Sequence, residues 1–132
     1  MASPVRVRNC LLCEHVSRSD GNRHTLVNVY SGDVVVAHMP TQLQFGLYME
    51  LEGTPQYQGA FSLEIRWLKR TYLKATATVD ARSTENNAVI ALPSFLLPVD
   101  RDGVLEMFFW GDGLPRRKIL SKKIYADKDF TS

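Results

Sequence analysis

The feature that most constrains the fold is a run of eleven residues, 42–52, in which apolar and polar side chains alternate. Its apolar members occupy every second position: Leu43, Phe45, Leu47, Met49 and Leu51. A period of two places successive side chains on opposite faces of an extended chain, whereas a helix needs apolar spacings of three and four. The run therefore predicts a long strand with one buried face, and Gly46 within it indicates a bulge or bend.

The same alternation returns in two further runs, 61–67 and 73–80. The polar triplet Lys69-Arg70-Thr71 separates them, which is typical of a β-hairpin. Turn-forming Gly, Asp, Asn and Pro residues recur along the chain, and no window carries a helical apolar stripe. Further strands are predicted between these turns, over residues 5–17, 23–30, 34–38, 88–92, 104–110 and 116–125.

These patterns predict an all-β protein, a single and mostly antiparallel β-sandwich of about seven to nine strands. The 132 residues, 45% of them hydrophobic, suit one domain, with a frayed tail at 127–132. We expect strand 104–110 to be central because it is apolar on nearly both faces, and we expect Pro93 and Pro98 to confine their segment to an edge or a loop. The predicted core takes the inward-facing members of these strands: Leu12, Val29, Leu43, Phe45, Leu47, Met49, Leu51, Phe61, Leu63, Ile65, Trp67, Leu73, Val79, Leu105, Met107 and Phe109.

Cys10 and Cys13 have the C-x-x-C spacing of zinc sites and of thioredoxin-like redox pairs. The three histidines are scattered singly, however, and both cysteines fall on a predicted strand, where residues three apart point to opposite faces. We therefore expect two separate, reduced thiols and no metal or cofactor. Free thiols without the apolar core of a signal peptide predict a cytoplasmic protein, and no stretch is long and apolar enough to span a membrane.

Motifs for catalysis and phosphate binding are missing from the sequence. It has no G-x-G-x-x-G, Walker A, G-x-S-x-G or H-E-x-x-H pattern, and its Ser, His and Asp residues show no triad-like spacing. We expect a protein that is not an enzyme and has no cofactor.

Aspartates are concentrated in the predicted turns, and the Asp100-x-Asp102-Gly103 segment is similar to the opening of a calcium loop. Asp and Gly are also the residues that turns require, and Arg101 offsets part of the charge. Asp100 and Asp102 are therefore weak calcium candidates beside the simpler interpretation of an ordinary turn.

The end of the chain is basic. Its last 18 residues hold six cations and two acids, which leaves the rest at −2 in a chain of net charge +2. The candidate anion-binding residues on this last strand are Arg116, Arg117, Lys118, Lys122 and Lys123. Nearby Phe108, Phe109 and Trp110 could stack on bases, which would make the strand a nucleic-acid or anion-binding element, although Phe108 and Phe109 cannot share a face and one of them should pack in the core. Lys and Arg also protect an outer edge strand from aggregation, which is the alternative interpretation.

A small β-sandwich without catalytic motifs favours binding. Exposed strand edges can accept another strand or form a dimer, and Tyr48 and Tyr57 fall on predicted outer faces or loops, where tyrosine is typical of interfaces. We therefore predict a non-enzymatic module for protein–protein interaction or self-association, its partner another protein or a second copy. Binding of nucleic acid or another anionic ligand is the alternative.

The order of motifs also resembles a family of short, uncharacterised bacterial proteins. The matching segments are Leu11-Leu12-Cys13-Glu14, Asp20-Gly21-Asn22, Leu26 to Tyr30 and Met39-Pro40, followed by the alternating strand. The Asp-x-Asp-Gly turn near residue 100 is similar to the family's later hairpin. Asn28 departs from the pattern, since glycine is more typical there. The resemblance implies an immunoglobulin-like or C2-like sandwich of bacterial, cytoplasmic type and carries over no activity or catalytic residue.

Overall fold

A computed structural model describes residues 6–21, 23–52, 59–79, 87–111 and 113–129. Over these ranges the protein is all-β, without a helix, as predicted. The described part of the chain accordingly contains no helix that could cross a membrane. Its ten strands are β1 (Arg6–Cys13), β2 (His15–Ser19), β3 (Arg23–Val27), β4 (Val34–Val36), β5 (Thr41–Glu52), β6 (Gly59–Trp67), β7 (Arg70–Val79), β8 (Asn87–Val99), β9 (Gly103–Gly111) and β10 (Leu114–Ala126). The predicted number of about seven to nine strands is not confirmed.

The strands form three sheets. One has the order β1-β5-β8, the second has the order β4-β10-β9-β6-β7, and β2 and β3 form a separate two-stranded ribbon. All neighbours are antiparallel except β4 and β10, which pair in parallel over three residues. β9 lies between β10 and β6, which confirms the central position predicted for strand 104–110.

The alternating run 42–52 becomes β5, and its predicted inward face is confirmed. Phe45, Leu47, Met49 and Leu51 are fully buried there. Two core clusters contain residues of both larger sheets, so the two sheets share their apolar faces. In the smaller cluster the rings of Phe61 and Phe109 stack with centroids 5.3 Å apart.

Several strand boundaries and one core residue differ from the predictions. Predicted strand 5–17 breaks at Glu14 into β1 and β2, which belong to different sheets. Val29 was predicted in the core but is 42% exposed, because β3 ends at Val27 and the chain turns at Asn28. Asn28 has a φ of 51°, the left-handed conformation that Asn tolerates and Gly favours. The side chain of Val79 lies outside the described part.

Gly46 marks a bulge, as predicted, and a close crossing of strands. The β5–β8 register shifts between Phe45 and Leu47. A Cβ at position 46 would lie 2.8 Å from the carbonyl oxygen of Pro93 and 3.1 Å from the amide nitrogen of Val16. β8 continues through Pro93 and Pro98 and lies at the sheet edge, the position in which proline is tolerated.

Leu68 and Lys69 form the two-residue turn between β6 and β7, where the longer triplet 69–71 was predicted. Both residues have positive φ, 54° and 66°. This is the backbone of the tight hairpin turn that Asn and Gly usually occupy. Because the turn has only two residues, β7 starts at Arg70, directly opposite Trp67 at the end of β6.

Candidate interaction face on the five-stranded sheet

The five basic candidates of the last strand do not form one patch. Lys118 pairs in register with Phe108, whereas Arg117 pairs with Phe109, which is buried in the core. Directly opposed residues of an antiparallel pair point to the same face, so Arg117 and Lys118 lie on opposite faces of the sheet. Arg116 contacts the ring of Phe108 and thus lies with Lys118 on the outward face.

Two register shifts in β10 divide the remaining candidates. The β10–β9 register is interrupted between Leu114 and Arg117 and again between Lys118 and Leu120. Beyond the second shift Lys122 pairs with the buried Leu105, and its Nζ donates to the carbonyl oxygen of Tyr30 at 2.8 Å. Lys123 pairs with Val104 and therefore lies on the outward face of the sheet, with its Nζ 5.2 Å from the ring centre of Tyr125.

The position of β10 in the sheet also differs in part from the predicted outer edge. Its last three residues pair with Val34–Val36, so this end of β10 is internal. The remainder of β10 has no partner on that side among the described strands. The prediction that this strand lies at an outer edge of the sheet is therefore correct for most of β10 and wrong for Ile124–Ala126.

Phe108 is the centre of the outward face. The guanidinium carbon of Arg116 lies 4.0 Å from the Phe108 ring centre, and that of Arg66 lies 5.9 Å away. Arg116 is also 5.6 Å from the ring centre of Trp110. Aromatic and guanidinium planes attract one another through the ring quadrupole, so these side chains hold each other in place.

Glu64 anchors Arg116 above this ring. Glu64 is 6% exposed, accepts a hydrogen bond from the Thr71 hydroxyl and pairs with Arg116 at 2.6 Å. These two hydrogen bonds, that of Thr71 first, hold the pKa of Glu64 below its ordinary value of 4.5. The carboxylate therefore stays ionised and fixes the guanidinium.

Glu106 is the second buried carboxylate of the face. It is 5% exposed, and its carboxylate oxygens lie 3.3 Å from the Nζ of Lys118 and 3.8 Å from the Nζ of Lys69. Its register partner is Arg66, whose Nε is buried without a hydrogen-bond partner. The carboxylates partly neutralise the surrounding cations, but the cations outnumber them.

We call this set of side chains the cation–aromatic face: Glu64, Arg66, Glu106, Phe108, Trp110, Arg116 and Lys118. Sequence analysis identified the aromatic residues and two of the cations but missed Glu64, Arg66 and Glu106. Their outward positions follow from the alternation of β6 and β9, but their contact with Arg116 and Lys118 depends on the pairing of strands far apart in sequence. Chemically, the face offers planar cations, aromatic edges and a modest positive charge.

The tyrosine candidates lie elsewhere. Tyr48 is half-buried on the outer face of the three-stranded sheet, where its hydroxyl donates to Glu50 at 2.9 Å and its ring lies 5.3 Å from that of His24. Burial, and then the hydrogen bond to Glu50, raise the pKa of Tyr48. Tyr48 therefore belongs to a different sheet from the cation–aromatic face. Tyr57 lies outside the described residues.

The two calcium candidates have partners of their own. Asp100 pairs with Arg101 at 3.1 Å, and that hydrogen bond lowers the pKa of Asp100. Asp102 accepts a hydrogen bond from the backbone amide of Ala126 at 3.2 Å. Within the ranges given above, no three His, Cys, Asp or Glu side chains are grouped so that they could hold a metal ion.

The thiols point to opposite faces of their strand, as predicted. Cys10 pairs with the buried Met49 and packs against the core, where burial raises its pKa to about 11. Cys13 pairs with Gly46, and its Sγ lies 3.5 Å from the Gly46 carbonyl oxygen. Burial also raises the pKa of Cys13. Both cysteines are free thiols.

Comparison with protein-family models and with curated proteins finds no match to this chain. The resemblance to short bacterial proteins therefore stays a prediction.

Proposed function

We propose that the two larger sheets form a single β-sandwich with immunoglobulin-like topology. An immunoglobulin variable-type domain has one sheet in which strand G neighbours F, F neighbours C, and C neighbours C′, and a second sheet that contains strands A, B and E. The orders β10-β9-β6-β7 and β1-β5-β8 match these neighbours if β5 is strand B and β8 is strand E. The core clusters that join both sheets support the same proposal.

We further propose that the protein is a non-enzymatic binding module that recognises another protein through the cation–aromatic face. The observation that carries this proposal is the position of Arg116, which stacks on Phe108, lies near Trp110 and is fixed by Glu64. Arg and Trp are enriched among the residues that dominate binding energy in protein interfaces. A cation held in one geometry also loses less entropy when a partner binds.

The chemistry of the face defines the kind of partner it fits. Its centre consists of Phe108 and Trp110, both half-buried, and its rim consists of Arg66, Arg116 and Lys118. A protein surface with an apolar or aromatic centre and carboxylates at its rim is complementary to this arrangement. From the sequence, we propose that the protein meets this partner in the cytoplasm of a bacterial cell.

Nucleic acid is the alternative ligand, and two observations count against it. Arg116 lies over the face of Phe108, so this ring is not free to stack on a base. Arg116 and Lys118 are already paired with Glu64 and Glu106, which reduces what they can offer to phosphates. Arg117 and Lys122 lie on the other face of the sheet, and Lys123 shares the face of this pair but lies farther along β10, opposite Val104.

The decisive experiment uses two identical substitutions at adjacent positions, Arg116→Lys and Arg117→Lys. Both keep the charge, but only the first removes a stacked guanidinium from the cation–aromatic face. Tagged wild type and variants are incubated with nuclease-treated lysate of the source cells, and the affinity of the captured protein is then measured. We expect Arg116→Lys to weaken binding about tenfold or more and Arg117→Lys to leave it unchanged.

Two results would contradict the proposal. One is equal binding by both variants. The other is binding that occurs only when the nuclease treatment of the lysate is omitted and that weakens steeply with salt, which is the behaviour of a phosphate-binding surface.

A further inference from the structure

The exposed edges of the two larger sheets differ in how they are protected from pairing with another strand. β1 has Arg6 and Arg8 and a register shift between Val7 and Asn9. β8 contains two prolines, β4 has only three residues, and the unpaired part of β10 is rich in Lys and Arg and has two register shifts. Charges, prolines, bulges and short length are the devices by which natural sheets avoid edge-to-edge association.

Arg70 and a register shift beside Tyr72 protect the start of β7, whereas the stretch 73–79 lacks most of these devices. Its register with β6 is continuous from Leu73 to Val79, and the shift beside Tyr72 lies outside this stretch. Lys74 is the only charged residue in it, and Thr and Val favour an extended conformation. No described strand pairs with the other side of β7.

An apolar cavity lies beside this edge, between the two larger sheets. Its volume is about 200 Å³, and its lining includes Leu63, Ala75, Ile90, Leu92 and Phe109. Strand addition to a sheet edge gains affinity from backbone hydrogen bonds and specificity from pockets for alternate side chains. β7 and this cavity supply both requirements at one place.

We propose that a second copy of this chain docks here, with β7 pairing antiparallel to β7 of the partner and joining the two five-stranded sheets. Such an interface is isologous, so the strand must be complementary to itself. A pairing centred on Ala75 meets this condition, because Lys74 then faces Thr76 of the partner subunit. A pairing centred on Lys74 would instead oppose two like charges. This interface uses residues other than the cation–aromatic face and goes beyond the proposed function.

The test is the molar mass in solution by light scattering, combined with two substitutions at one exposed position. Thr76→Lys places a second positive charge opposite Lys74, twice in each dimer, whereas Thr76→Glu places an opposite charge there. We expect a wild-type dimer, a monomeric Thr76→Lys variant, and a Thr76→Glu dimer that survives greater dilution than wild type. The matched control is Gln44→Lys, an exposed position on the internal strand β5, which should leave the dimer unchanged.

Three outcomes would overturn this proposal. The first is a wild-type protein that remains monomeric up to about 1 mM. The second is a dimer that persists in Thr76→Lys, and the third is one that Gln44→Lys disrupts equally. Circular dichroism and thermal unfolding of each variant show that a lost dimer is not an unfolded chain. Because Arg116→Lys leaves β7 untouched, failure here and failure of the protein-binding proposal are distinguishable.

Discussion

Replacing Arg116 with alanine should lower the free energy of unfolding by about 1–2 kcal/mol. The substitution leaves Glu64, which is 6% exposed, with the Thr71 hydroxyl but without its cation. Breaking a fully buried pair costs about 3–5 kcal/mol, whereas an exposed pair is worth about 0–1 kcal/mol. Because the Arg116 side chain is 44% exposed, its loss should fall between these limits.

Arg117→Ala is the matched control, since this exposed residue lies next in sequence and on the other face of β10. Its loss should change stability by no more than about 0.5 kcal/mol. Urea denaturation of both variants at neutral pH measures the difference, which should appear in the midpoint and not in the slope. Equal destabilisation by the two substitutions would refute the role assigned to the Glu64–Arg116 pair.

The same pair predicts a pH dependence. The pKa of Glu64 in the folded state is below its ordinary value of 4.5, so its ionised form is favoured by folding. The resulting stabilisation is complete above that ordinary value and is lost as the pH falls through the folded-state pKa. The difference between wild type and Arg116→Ala should therefore shrink in acid, and a difference that stays constant would contradict the assignment.

Three further predictions concern the fold. Gly46→Ala forces a Cβ to within 2.8 Å of the Pro93 carbonyl oxygen and should cost about 1–3 kcal/mol in urea denaturation, whereas Gly32→Ala, with nothing within 4 Å, should not destabilise. Lys69→Gly relieves a φ of 66°, which costs about 1–2 kcal/mol, but removes the exposed ion pair with Glu106, which is worth about 0–1 kcal/mol. The variant should therefore be about 1 kcal/mol more stable in thermal unfolding, and a loss of stability would contradict the strain assigned to this turn. Cys10, whose pKa is raised to about 11, should resist alkylation at neutral pH in the native protein and react once denatured; rapid native labelling would place it outside the core.

The fold class was predictable because its signals are local. Alternation over 42–52 identifies β5 and its buried face without any knowledge of its neighbours. The mostly apolar character of 104–110, which only Glu106 interrupts, likewise indicated a central strand, and β9 is one. The break at Glu14 was not predictable, since no Gly or Pro marks it and the residues on both sides favour a strand.

The candidate face was only partly predictable because it depends on long-range pairing and on bulges. Simple alternation separates Arg116 and Lys118 from Arg117. It also predicts that Lys122 joins the first group, but the register shift after Lys118 reverses this and turns Lys122 inward. The contact of Arg116 with Glu64 spans 52 positions in the sequence and requires the register of three strands.

The most direct test of the proposed binding face uses the two tryptophans of the chain. Trp110 is half-buried beside Arg116, whereas Trp67 is 9% exposed and belongs to the core, so it serves as an internal reference. The protein is labelled with 5-fluorotryptophan, its two fluorine resonances are assigned with Trp110→Phe, and the protein captured in the binding experiment is titrated in. We expect the Trp110 resonance to shift and lose its solvent exposure while that of Trp67 stays in place. A bound complex in which neither resonance moves would contradict the central claim that this face is the binding surface.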